Sequence, residues 1–138
     1  MTLRIAGRPP AVVAGIVLFG AVWLGTSAVA IASGAYGPGP LAGMAFWYAV
    51  LALLLYRAWA GGPFAIMAIH RIGISFGILI LIALVGVLAL YPDEIGETLR
   101  RGVPGLVGAA ALMTSGFLMG REDVTRWRAD RNRSRSSR

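Results

Sequence analysis

The chain has 138 residues, 57% of them apolar and only 14% charged, where a soluble domain carries about 25% charged residues. All thirteen basic residues are arginine, and with six acids the formal net charge is +7. There is no cysteine and one histidine, which excludes disulfides, thiolate catalysis, cysteine-based zinc sites and thioether haem attachment.

In chain order, Arg4, Arg8 and Pro9-Pro10 form a basic, stiff entry to a first apolar stretch, Ala11–Ala32. Its length of about 22 residues exceeds the roughly 7–15 of a secretory leader, so it reads as a retained span, although Ala28-Val29-Ala30 resembles a cleavage site. The segment SGAYGPGP, Ser33–Pro40, reads as a turn. A second stretch, Leu41–Ala60, carries Tyr56, Arg57 and Trp59 near its end, residues suited to a headgroup layer. Gly61-Gly62-Pro63 breaks the helix. Residues 64–71 either begin the third span or lie along the interface.

The third stretch, Ile72–Leu90, is the most apolar. Thirteen of its nineteen residues are Leu, Ile, Val or Phe, a contribution of roughly −6 kcal/mol on the insertion scale. Tyr91-Pro92 closes it. The loop Asp93–Gly102 is acidic, and Glu97 is spaced to pair with Arg100 and Arg101. The fourth stretch, Val103–Gly120, has six such residues, worth only about −2.7 kcal/mol, and is opposed by Pro104 and its glycines. It is expected to be held by neighbouring helices. Beyond it the chain is expected to stay helical briefly and to become disordered from Arg131.

Each stretch is long enough to cross about 30 Å of hydrocarbon as a helix. The expected fold is therefore all-α, an integral membrane four-helix bundle (residues 1–120) with up-down-up-down connectivity and a basic tail (121–138). With the amino terminus cytoplasmic, Arg4, Arg8, Arg57, Arg71 and seven tail arginines lie inside, and only Arg100 and Arg101 lie outside. This asymmetry predicts a multi-pass plasma-membrane protein with both termini cytoplasmic.

In lipid, helices associate where small residues let backbones approach. Such residues recur in stripes: Ala14, Ala21, Gly25, Ala28 and Ala32 in the first span, and Ala42, Ala45, Ala49 and Ala52 in the second. Gly73 and Gly77 mark the third, and Gly105, Ala109, Gly116 and Gly120 the fourth. They are expected to pack within the bundle, with a spare stripe available to another membrane protein or to a second copy.

Arg57, Arg71, Arg126, Arg128, Arg131, Arg133 and Arg135 are expected to contact anionic lipid headgroups. No nucleic-acid partner is expected, because the tail lacks a fold and stacking aromatics. His70-Arg71 reads as a boundary pair. Thr26, Ser27, Ser75, Thr114 and Ser115 read as hydroxyls bonded back to their own helices. Phe46-Trp47-Tyr48 reads as a lipid-facing cluster.

No cofactor is implied, and an enzyme is not expected: the loop acids and His70 fall on opposite faces of the bilayer and cannot converge. In size alone the chain is similar to small multidrug exporters and fluoride channels. It lacks an acid in its first span and has Asn132 in its tail as its only asparagine. A small transporter or channel, or a phage-type lysis or immunity protein, therefore ranks behind a non-catalytic accessory or scaffold subunit of a larger membrane complex.

Overall fold

A computed structural model describes residues 7–32, 38–92 and 95–136. Among them are five helices: α1 (Pro10–Ala32), α2 (Pro38–Trp59), α3 (Pro63–Leu90), α4 (Ile95–Met119) and α5 (Glu122–Ser136). Three apolar segments, Pro10–Val29, Pro63–Leu90 and Ile95–Met119, are long and apolar enough to cross a membrane, and α2 contributes a shorter one, Gly43–Trp59. An all-helical architecture with such segments is compatible with a small membrane protein.

Prolines start these helices. Pro10, Pro38 and Pro63 each stand at a helix start, where the fixed φ suits the helix and the missing N–H costs nothing. This moves one boundary of the sequence reading: Pro38-Gly-Pro40, assigned to the turn, opens α2, and residues 33–37 lie outside the described residues.

The break between α2 and α3 is a Schellman turn. Gly61 takes φ +84°, its N–H bonds the Ala58 carbonyl at 3.0 Å, and the Gly62 N–H bonds the Arg57 carbonyl at 2.8 Å. Two carbonyls that the ending helix leaves unpaired are thereby satisfied. Gly62 then caps α3 in an extended conformation, with Pro63 in the first helical turn.

Of the two alternatives left open for residues 64–71, the structure shows the first: they begin α3, whose 28 residues span about 42 Å. One further boundary lies earlier than expected. Residues 95–102, expected as loop, form the first turns of α4. There Arg101 Nε donates to Glu97 Oε1 at 2.8 Å, an exposed i,i+4 pair. Pro104 lies inside α4, where its lack of an N–H removes the helical bond to the Arg100 carbonyl. Helix α5 continues through Ser136, past Arg131 where the composition predicts loss of order. Its start is tied down by Val124, fully buried, and by Trp127 packed against the core.

α3 and α4 share the most extensive contact, followed by α1 and α4; α2 touches α1 and α3 more lightly. The α3/α4 seam is antiparallel and set by glycine. A Cβ on Gly73 would lie 2.6 Å from the Leu112 carbonyl oxygen, and one on Gly116 would lie 2.9 Å from that of His70. Only a residue without a side chain permits backbones this close. Further along the seam, Gly102 meets Leu84.

The core is confined to one end. Val12, Phe19, Ala58, Ile66, Ile69, Leu112, Met119 and Val124 are buried, and they come from the start of α1, the end of α2, the start of α3, the end of α4 and α5. Towards the other end, no described residue is buried in 21–32, 43–57, 78–90 or 95–108. The four long helices are close-packed where α5 joins them and open at the opposite end.

Candidate functional site

The small-residue stripes divide into two groups. Gly73, Gly77, Ala109 and Gly116 are buried in or beside the α3/α4 seam. Gly120 is exposed on one side and lies under the His70 ring on the other; Gly105 is exposed, with Ile80 as its nearest neighbour. By contrast, Ala45, Ala49 and Ala52 of α2 face away from the chain's own core, as do Ala14, Ala21, Gly25, Ala28 and Ala32 of α1. The side chain of Ala42 lies outside the described residues. α1 instead turns Gly15 and Gly20 inward, a pair that strict three-and-four spacing does not find. Gly15 accepts the buried hydroxyl of Ser115 on its carbonyl at 2.8 Å. Ser115 was read as bonded to its own helix; it ties α4 to α1. Thr26 and Ser27 do bond back within α1, to the Val22 and Trp23 carbonyls at 2.8 Å.

His70 and Arg71 point apart. Arg71 is exposed, whereas His70 is half-buried with Nδ1 2.7 Å from the Gly116 carbonyl oxygen. A carbonyl only accepts, so Nδ1 carries the proton in this contact.

On the open side, α1, α2 and α3 enclose an apolar cleft of about 530 Å³ whose aromatic lining is Phe19, Trp23, Trp47, Tyr48 and Phe76. Trp23 meets the Phe19 ring at 6.2 Å and the Phe76 ring at 5.9 Å. Its indole Nε1 is buried without a hydrogen-bond partner among the described residues. Trp47 and Tyr48 line the cleft, and Phe46 stacks edge-on against Trp47 at 5.6 Å. Among the described residues no carboxylate, imidazole or guanidinium lines the cleft, whose surface is mainly apolar and aromatic.

At the packed end the arginines gather. Arg57 is exposed; Arg126 is exposed and bonds Glu122 at 2.9 Å. Arg128 is half-buried and Arg133 exposed, and the side chain of Arg135 lies outside the described residues. Arg131 sits 5.4 Å over the Trp127 ring. The sequence reading did not single out Arg8. Its guanidinium lies 4.3 Å over the Trp59 ring, and its Nε donates to the Trp59 carbonyl at 3.2 Å. Burial, and then the nearby charge of Arg131, hold this guanidinium below the usual arginine range. Arg8 and Trp59 are 51 positions apart, and no local pattern joins them. Among the described residues, no three His, Cys, Asp or Glu side chains converge as a metal site would require. The chain matches no protein-family model, no curated protein and no solved structure.

Proposed function

We propose that this chain is a non-catalytic accessory or scaffold subunit of a larger membrane complex. It crosses the plasma membrane four times, up-down-up-down, with both termini cytoplasmic. The observation that carries the reading is the one-sided core. The helices bury side chains against one another only near α5, and the opposite half leaves the alanine stripes of α1 and α2 and the aromatic cleft open. Small residues facing outward on membrane helices are the contacts through which another helix approaches.

The span count and orientation are supported by length and charge. α2 has 22 residues, about 33 Å of helix, enough for a span even though its apolar stretch is the shortest. Arg8, Arg57, Arg71 and Arg121 belong to the packed end, and the described basic residues of the other end are Arg100 and Arg101. The positive-inside bias then makes the packed end cytoplasmic.

Purification in mild detergent, followed by mass spectrometry, tests the role. The expected result is a stoichiometric membrane partner or a defined homo-oligomer. A partner-free monomer from native membranes overturns it. Protease removal of Arg121–Arg138 from intact protoplasts overturns the orientation.

A further inference from the structure

We propose that the cleft between α1, α2 and α3 binds a flat, uncharged, carbonyl-bearing lipophile of the quinone class; its entry from the bilayer rests on the membrane reading above.

The cleft has the size and lining of a small-molecule site. Its volume of about 530 Å³ lies within the roughly 300–1,000 Å³ that such sites occupy. From Phe19 to Ser27 its α1 wall rises about 12 Å. All three helices contribute rings: Phe19 and Trp23 from α1, Trp47 and Tyr48 from α2, and Phe76 from α3. Ring pairs attract beyond the area they cover, which favours a flat guest over a flexible chain.

The polar hydrogens of the wall call for an acceptor. The Trp23 indole N–H is buried with no partner among the described residues, and a buried donor left unmet is costly. The residue as a whole is only half-buried and stands against the cleft, so a turn of its ring brings the N–H to an acceptor that enters there. Tyr48, across the cleft on α2, has a hydroxyl that makes no hydrogen bond among the described residues. The Ser27 hydroxyl already donates to the Trp23 carbonyl at 2.8 Å. A carbonyl oxygen only accepts, and so complements the two remaining donors. A carboxylate or phosphate also accepts, but among the described residues no cation lines the cleft to offset its charge.

Equilibrium binding of radiolabelled menadione to the full chain in mild detergent tests the site. Saturable binding is expected, with unlabelled menadione displacing the label and methylnaphthalene, which has the rings without the carbonyls, displacing it poorly. Trp23→Phe and Tyr48→Phe each keep a ring and remove a donor, and should each weaken menadione binding about threefold to tenfold. Neither should weaken methylnaphthalene further, a difference that a change in packing alone would not produce. Val50→Trp fills the cleft from an exposed position on its wall and should abolish binding. Tyr56→Phe, exposed and away from the cleft, should match wild type. Far-UV helicity identifies a variant that fails to fold, and the remaining variants then carry the test. Equal displacement by methylnaphthalene or by phosphatidylcholine overturns the proposal, as does full binding in Val50→Trp. The membrane reading fails separately, by recovery of folded chain from water without detergent, and menadione binding to that soluble chain would still report on the cleft.

Discussion

His70 reaches from α3 to α4 and places Nδ1 2.7 Å from the carbonyl oxygen of Gly116. Gly120 makes room for the ring, since a Cβ there would come 2.6 Å from His70 Cε1. The only imidazole in the chain is therefore a strut between two helices. His70→Phe keeps the ring and removes the bond, and should cost about 0.5–1.5 kcal/mol. Gly120→Ala should displace the ring and cost a similar amount. Unfolding in detergent with a graded denaturant measures both; an unchanged midpoint in both would show that the strut bears no strain.

The glycines of α3 separate close approach from open space. Gly73→Ala forces the α3 and α4 backbones apart, because the atom it would strike is a main-chain oxygen. It should destabilise the seam by about 1–3 kcal/mol. Gly86 has nothing within 4 Å of the corresponding position, so Gly86→Ala should be neutral or stabilising by up to about 1 kcal/mol. Opposite signs in one denaturation assay are the expected outcome. Equal effects would remove the argument that this seam depends on glycine.

Ser115 supplies the polar link between α1 and α4. Its side chain is fully buried and bonds the Gly15 carbonyl at 2.8 Å. Ser115→Ala removes the bond with little change in volume and should cost about 0.6 kcal/mol, the average for such bonds in a membrane protein, and no more than about 1.7 kcal/mol. Ser75→Ala, at an exposed position, should leave stability within about 0.5 kcal/mol of wild type.

The outward stripes give a chemical test of assembly. The chain has no cysteine, so Ala21→Cys and Ala49→Cys each introduce a single thiol on an exposed face of α1 or α2. In native membranes, oxidation or a short thiol-to-amine linker should produce a discrete adduct, either a dimer or a partner of defined mass. Val85→Cys, on an exposed face of α3 without an alanine stripe, should produce less. Equal yields at all three positions would indicate random collision.

What the sequence discloses and what it hides follow from different physics. Hydropathy registers residues that lie in lipid, so the apolar runs were legible, as was the break at Gly61-Gly62-Pro63. It does not tell whether an apolar run such as 64–71 continues a span or lies along an interface, and it does not register polar helix such as 95–102. Residues 64–71 and 95–102 were therefore unassigned or assigned to loop, although His70 bonds across to Gly116 and Glu97 bonds Arg101. Spacing found the glycines of the α3/α4 seam because there the backbones themselves meet. On α1 it selected Ala14 and Ala21, while packing turned Val12, Gly15 and Phe19 inward. A core needs volume as well as close approach, and Phe19 supplies it. The partnership of Arg8 with Trp59 depends on how α1, α2 and α5 come together, and no short-range pattern encodes that.

Gly61 joins the end of α2 to the docking of α5. Its φ of +84° costs a residue with a Cβ about 1–2 kcal/mol, and that Cβ would press on Trp127 and Arg131. Gly61→Ala should therefore do two things at once. It should weaken the end of α2 by about that amount, and it should loosen α5 from the turn, so that trypsin cleaves after Arg126 and Arg128 faster than in wild type. A stability loss without faster cleavage would mean that α5 is held by Val124 alone, fully buried three residues before Trp127.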